Sequence, residues 1–249
     1  MIPTYCEWHL GDNLIHANWL RRVAARAPSE RFVHAARAEY LQQLREVVED
    51  LPNIELVSLN DRPPSVNVWK NRRGDFYDHP LRDDWVAYHL EFFAGLARDL
   101  GVENPAAAPD DLLFDFPRLR AKEWPKFDFL VINSIPMSGQ FRGYDIAFFD
   151  IMIAELRKRG SVIVTGPSFA PGIASTLSYL GYPLTVADIG ALSIGCKHII
   201  GVPTGPIWTT FNVWNRDLPR ILFLDREYIN LTPGVVHVKS IGEAMAHLP

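Results

Sequence analysis

Two short stretches of this 249-residue chain carry groups suited to handling an anion or a proton. The first is His9-Leu10-Gly11-Asp12-Asn13, which follows a short strand-like run, Pro3 to Trp8. A carboxylate at such a turn has two uses. It can cap the helix that follows, worth about 1 kcal/mol, or it can take a proton from a hydroxyl within hydrogen-bond reach. Asp12 and Asn13 both suit the cap. His9 can face a ligand or pack. The second stretch ends an apolar run, His198 to Val202, at Pro203-Thr204-Gly205-Pro206. A strand, a glycine turn and a helix start present backbone N–H groups to an anion. Thr204 adds a hydroxyl, and Gly205 lets a ligand approach the backbone. An ordinary connection shaped by Pro and Gly accounts for the same residues.

Three other loops hold polar groups. Ser134 to Asp145 contains Arg142, a cation suited to phosphate. Gly166-Pro167-Ser168 follows a short apolar run. Lys70 to Pro80 carries Lys70 and Arg72 among aromatics and can grip an anionic or sugar-like ligand, or simply be solvated. Trp208, Phe211 and Trp214 fall at helical spacing and read as core or as a stacking face for a sugar.

The elements needed to position these loops follow from hydrophobic periodicity. Helical stripes are predicted from Leu14 to about Ala27, over 38–49 and over 83–100, the last ended by Gly101. Strands are predicted over 3–8, 31–36, 54–59 and 66–69. This β-α-β-α-β order with short links predicts a parallel sheet with crossover helices. Residues 102–124 are Pro- and Ala-rich, like a linker. A second α/β unit follows, with strands over 127–133, 161–165, 198–202, 220–225 and 235–239. Helices are predicted over 146–158, over a short run near 185–195, after Gly205, and over 241–248. The expected fold class is therefore α/β, with two Rossmann-like parallel-sheet domains: 1–115, a linker at 116–126, and 127–249. Ligands in open α/β sheets bind beyond the strands' carboxyl ends, so the loops above are expected to meet across a cleft.

Composition narrows the function. The chain is 48% hydrophobic and 22% charged, an ordinary globular balance with ample core material. Its net charge of -4 offers no general basic field for nucleic acid. No apolar run approaches the roughly 18 residues of a membrane span, and the first residues have no secretory-leader pattern. Cys6 and Cys196 are the only cysteines and fit a reducing, cytoplasmic setting. No Cys/His cluster has metal-ligand spacing.

The chain resembles the heptosyltransferase-like glycosyltransferases, family 9, of GT-B fold. Leu10-Gly11-Asp12-Asn13-Leu14, with Leu20-Arg21-Arg22 and Pro28 after it, resembles that family's opening Gly-Asp loop and first helix. Leu184 to Leu192 resembles the approach to its nucleotide loop, and Val202-Pro203-Thr204-Gly205-Pro206 resembles its Asp-Thr-Gly signature. The resemblance implies that Asp12 is the general base on an acceptor hydroxyl. It implies that Arg142 neutralises the donor diphosphate and that Thr204 and Gly205 contact its phosphates. Gly11, Ser134, Gly166 and Trp208 fall on the donor side, and His9, Asn13, Lys70 and Arg72 on the acceptor side. Three departures stand out: Pro203 replaces an Asp, Trp208 replaces a His, and the chain is short for the fold, without its long C-terminal crossover helix. The implied activity is metal-independent transfer of a sugar from a nucleotide-diphosphate donor to a saccharide or glycolipid acceptor. It needs no cofactor beyond the nucleotide sugar and sits near a membrane surface without spanning it. A non-catalytic nucleotide- or glycan-binding relative, or a nucleotide-sugar hydrolase or epimerase, are the alternatives.

Overall fold

The computed structural model describes residues 1–69, 79–134, 141, 146–166, 168 and 184–249. The chain forms two compact units. One comprises Met1–Pro117 with Tyr228–Leu231, the other Arg118–Glu227 with Thr232–Pro249.

The first unit begins with β1 (Ile2–Tyr5), α1 (Leu10–Arg26), β2 (Phe32–Ala36), α2 (Leu41–Val48) and β3 (Ile54–Ser58). β4 (Val66–Asn67) and α3 (Trp85–Leu100) complete it. Its sheet runs β3-β2-β1-β4, and every pairing is parallel. β2 is buried at all five positions, as a strand covered on both faces must be. α1 packs Leu14, Leu20, Val23 and Ala24, each at most 2% exposed. It starts at Leu10, a turn earlier than the apolar stripe predicts, so Gly11 and Asp12 lie inside its first turn.

α3 has a closed entry. Asp84 Oδ1 accepts from Ala87 N at 2.9 Å. Tyr228 O accepts from Trp85 N at 2.9 Å, and Asn230 Oδ1 accepts from Val86 N at 3.3 Å. A four-residue return of the chain thus satisfies amides that no helix can satisfy internally. At the exit Gly101 takes a left-handed φ of 67°, where a Cβ is disfavoured. The stretch composed like a linker is packed instead. Leu112, Leu113, Phe114 and Phe116 are at most 5% exposed, and Asn18 Nδ2 donates to the Leu112 and Leu113 carbonyls.

The second unit holds β5 (Phe127–Ile132), α4 (Ile146–Arg157), β6 (Val162–Val164), α5 (Val186–Ser193) and β7 (Cys196–Gly201). It continues with α6 (Gly205–Trp208), β8 (Arg220–Phe223), β9 (Val235–Val238) and α7 (Ile241–Ala246). The sheet is parallel throughout, in the order β6-β5-β7-β8-β9. Phe149, Met152, Ile153 and Leu156 of α4 join Phe129, Val131, Val164, Ile200 and Phe223 in its core. The helix predicted beyond Gly205 stops at Trp208. Thr209, Thr210 and Asn212 turn their side chains onto nearby backbone carbonyls instead, the usual way such residues end helices.

Gly201 of β7 pairs with Ile132 of β5 and leaves no room for a side chain. A Cβ there would lie 2.7 Å from both Ile132 Cβ and Ile132 O. Gly201→Ala is therefore expected to cost about 1–3 kcal/mol by overpacking, read as a lower thermal midpoint.

Candidate functional site

Each sheet has one point where successive crossovers leave in opposite directions, and open α/β sheets bind ligands outside the strand ends at such points. In the first unit it lies between β1 and β4, in the second between β5 and β7. His9 to Asn13 follows β1. Ser134 follows β5 and Thr204-Gly205 follows β7, on strands paired Ile132 to Gly201. Gly166 follows the next strand, β6. These described residues of the candidate loops thus stand at the carboxyl edge of their own sheets.

The β1–α1 turn is held by a buried polar chain. His9 N donates to Asp12 Oδ2 at 3.2 Å. Asp12 therefore caps α1 from its third position and is half-buried at the helix start, where the helix dipole favours an anion. Gly11 is buried beside it. Asn13 is fully buried. Its Nδ2 donates to the carbonyls of Trp8 at 3.3 Å and His9 at 3.0 Å. That leaves its Oδ1 to accept from His34 Nε2 at 3.3 Å. His34 Nδ1 then accepts from the Thr4 hydroxyl at 3.1 Å, and Thr4 Oγ1 accepts from His16 Nε2 at 3.4 Å. This assignment gives every member one role compatible with its neighbours. Burial holds His34 down to about 3 and His16 well below the usual histidine range, and the neighbouring His34 ring lowers His16 further. In the same unit His89, stacked on Trp85 at 3.8 Å, is lowered to about 4 by burial. Asn13, expected on the acceptor side, is a scaffold residue whose amide is taken up inside the unit.

In the second unit Asn133, just past β5, clamps the loop after β6. Its Oδ1 accepts from Gly166 N at 2.6 Å and from Thr165 Oγ1 at 3.3 Å. A Cβ on Gly166 would meet that oxygen at 3.2 Å. Thr204 caps the short α6 without a side-chain bond, and its Oγ1 is a buried hydroxyl oxygen with no partner among the described residues. Buried polar atoms ordinarily find one, so this oxygen is the feature of the loop that fits an incoming polar group. Trp208 is 6% exposed and packs on Phe211, 6.0 Å between centroids. It lines the core rather than offering an open ring face. Lys70, Arg72 and Arg142 lie outside the described residues.

Behind α6 the chain is laced by Arg220, a fully buried arginine. Its Nη2 donates to Thr210 O at 2.7 Å and to Asn215 O at 3.0 Å, its Nη1 to Leu218 O at 2.8 Å, and its guanidinium lies 4.6 Å over the Phe211 ring. Burial lowers it to about 9. Asn215 Nδ2 continues the lacing to Ser193 Oγ at 2.7 Å. Sequence reasoning missed Asn133 and Arg220. A polar residue at a strand end and an arginine opening a buried strand were the available signals. Cys196 is pushed up to about 12 by burial, so it is no nucleophile. Among the described residues no group of three His, Cys, Asp or Glu side chains is arranged to hold a metal.

No family model and no curated protein matches the chain. Solved structures do. The E. coli heptosyltransferase WaaC, with ADP-2-deoxy-2-fluoro heptose, aligns over 99% of this chain and 98% of its own at 11% identity, TM-score 0.63. E. coli ADP-heptose lps heptosyltransferase II aligns over 100% and 97%, at 11% identity and TM-score 0.56. A glycosyl transferase family 9 structure from Veillonella parvula DSM 2008 aligns over 98% and 88%, at 12% identity and TM-score 0.52. Two parallel sheets in these strand orders, aligned with those enzymes over nearly the whole chain, give this protein the α/β fold of the heptosyltransferase-like glycosyltransferases.

Proposed function

We propose that this protein transfers a sugar from a nucleotide-diphosphate donor to a hydroxyl of a saccharide-type acceptor, without a metal or other cofactor. One observation carries the reading: a buried hydroxyl without a partner among the described residues, Thr204 Oγ1, stands beside Gly205 at the switch point of the second unit's sheet. The shared fold with heptosyltransferases, one of them solved with an ADP-sugar analogue, supports it.

In the proposed reaction the acceptor O–H gives its proton to the Asp12 carboxylate as its oxygen bonds the anomeric carbon. The bond from that carbon to the diphosphate breaks, and the nucleoside diphosphate leaves with the electron pair. The transition state is oxocarbenium-like, as in glycoside hydrolysis. Negative charge grows on the leaving group, where Arg142, the Thr204 hydroxyl and the Gly205 amide would meet it. Ser134 and Gly166 flank the donor, and His9, Lys70 and Arg72 the acceptor. A glycolipid acceptor places the enzyme at the cytoplasmic face of a membrane as a peripheral protein.

A second reading, a binding protein without turnover, draws on Pro203 in place of a carboxylate and on the buried Trp208. Thermal shift against ADP-, GDP-, UDP- and CDP-sugars, followed by measurement of nucleoside diphosphate release with saccharide acceptors, separates the two. Transfer predicts stabilisation by one donor series and release that depends on acceptor. Stabilisation without release selects the binding protein. Release that needs no acceptor selects a hydrolase. No shift with any donor overturns both nucleotide readings.

A further inference from the structure

The switch point of the first unit also holds a buried polar atom without a partner among the described residues: the indole Nε1 of Trp69. Trp69 is 8% exposed and lies just past β4, the strand paired with β1. Val68 N donates to Tyr5 O at 3.0 Å, and Trp69 N donates to Asn67 Oδ1 at 2.9 Å. The segment thus stays beside the end of β1, from which the turn of His9 to Asp12 follows. The Trp69 ring packs on Phe92 of α3 at 4.5 Å between centroids, and meets the His89 ring edge to face at 6.3 Å and 84°. His89 is 5% exposed. Its Nδ1 donates to Trp85 O at 2.8 Å, which fixes the tautomer and leaves Nε2 as an acceptor. Burial lowers His89 to about 4, so that lone pair is free of a proton near neutral pH. No described residue bonds it.

Adjacent buried rings therefore carry a donor that cannot accept and an acceptor that has no proton to give. Buried polar atoms ordinarily find partners. A hydroxyl satisfies both, because it accepts one hydrogen bond and donates another. A trapped water fits less well. It usually makes about three bonds, and Phe92 and Phe93, each 6.2 Å from the His89 ring between centroids, add no polar atom. A C–OH group brings carbon to those rings, the mixture of aromatic lining and few placed polar groups that ligand sites use. We propose that Trp69 and His89 are specificity-determining residues that hold one hydroxyl of a pyranose acceptor, distinct from the hydroxyl that reacts at Asp12. This assignment rests on the proposed transfer, since it places the pair on the acceptor side of that reaction.

The test is indole proton–nitrogen NMR of the full-length protein, titrated with the methyl pyranosides of glucose, galactose and mannose. The Trp69 signal, identified as the one lost in Trp69→Phe, should shift with at least one of them. The Trp19 signal should stay, because Trp19 Nε1 already donates to Asn104 Oδ1 at 3.1 Å. Among the monodeoxy forms of the sugar that binds, one should bind the wild type about five-fold more weakly, the worth of a hydrogen bond. Trp69→Phe should weaken the parent sugar by a similar factor and erase most of that preference. Donor-induced stabilisation, read by thermal shift, should be equal in the wild type and Trp69→Phe. Three results overturn the assignment: a Trp69 signal that no pyranoside moves, monodeoxy forms that all bind the wild type as well as the parent, or a Trp69→Phe protein that loses its donor response as well. The first two can be read without any variant folding differently, once the signal is assigned. A donor response and acceptor-dependent release in the wild type that outlast such a failure leave sugar transfer standing.

Discussion

Asp12→Asn is expected to remove about 10²- to 10⁴-fold from the rate of sugar transfer while leaving the fold intact. The substitution separates the two uses of this side chain. An asparagine oxygen can still accept from His9 N, so the cap that holds the start of α1 survives. A neutral amide cannot take a proton from an acceptor hydroxyl. The loss should appear in the rate at saturating substrate, with donor-induced stabilisation retained. Asp12→Ala removes both uses and should add about 1 kcal/mol of lost stability. If Asn matches the wild type in turnover, Asp12 is only a cap.

Acid is expected to unfasten the first unit well before the second. His16, His34 and His89 are all buried there, with folded-state values far below 6.5, about 3 for His34 and about 4 for His89. Unfolded, each titrates near its ordinary value. The stability they contribute is present above that value and is lost as pH falls toward the folded values, because only the unfolded chain gains the protons. Each histidine removes about 1.4 kcal/mol per pH unit below about 6.5, so three remove about 4 kcal/mol per unit. Domain stabilities of about 5–15 kcal/mol are consumed within about one to four units. Hydrogen exchange on peptides of β1, α1 and α3 should accelerate steeply between about pH 6 and 5. His89→Gln should flatten that dependence by about a third. An equal pH response in peptides of β8, which holds Arg220 and no histidine, would contradict the assignment to these three rings.

The element order of both units was legible because parallel strands covered on both faces leave continuous apolar runs, such as Phe129 to Ile132, and because Gly101 is a strong stop signal. Three features were not. The start of α1 was read late, since Gly11 and Asp12 look like a turn. A helix's first turn tolerates both, because its amides lack internal partners. Trp208, Phe211 and Trp214 keep helical spacing, yet the polar residues between them bond the backbone and break the helix after Trp208. Residues 228–231, which close the entry to α3, carry no local sign of a partner more than a hundred positions away. The candidate loops were found because Gly and Pro punctuate them. Their supports, Asn133 and Arg220, act through distant carbonyls and amides that no local pattern encodes.

Arg220 gives the second unit a fastening that acid leaves alone. Every described partner of its guanidinium is a carbonyl, an amide or a hydroxyl, so no carboxylate there can pick up a proton and let go. A cell or a buffer that drifts sour would meet one half of the molecule loosening while this lacing beneath the Thr204 loop still holds.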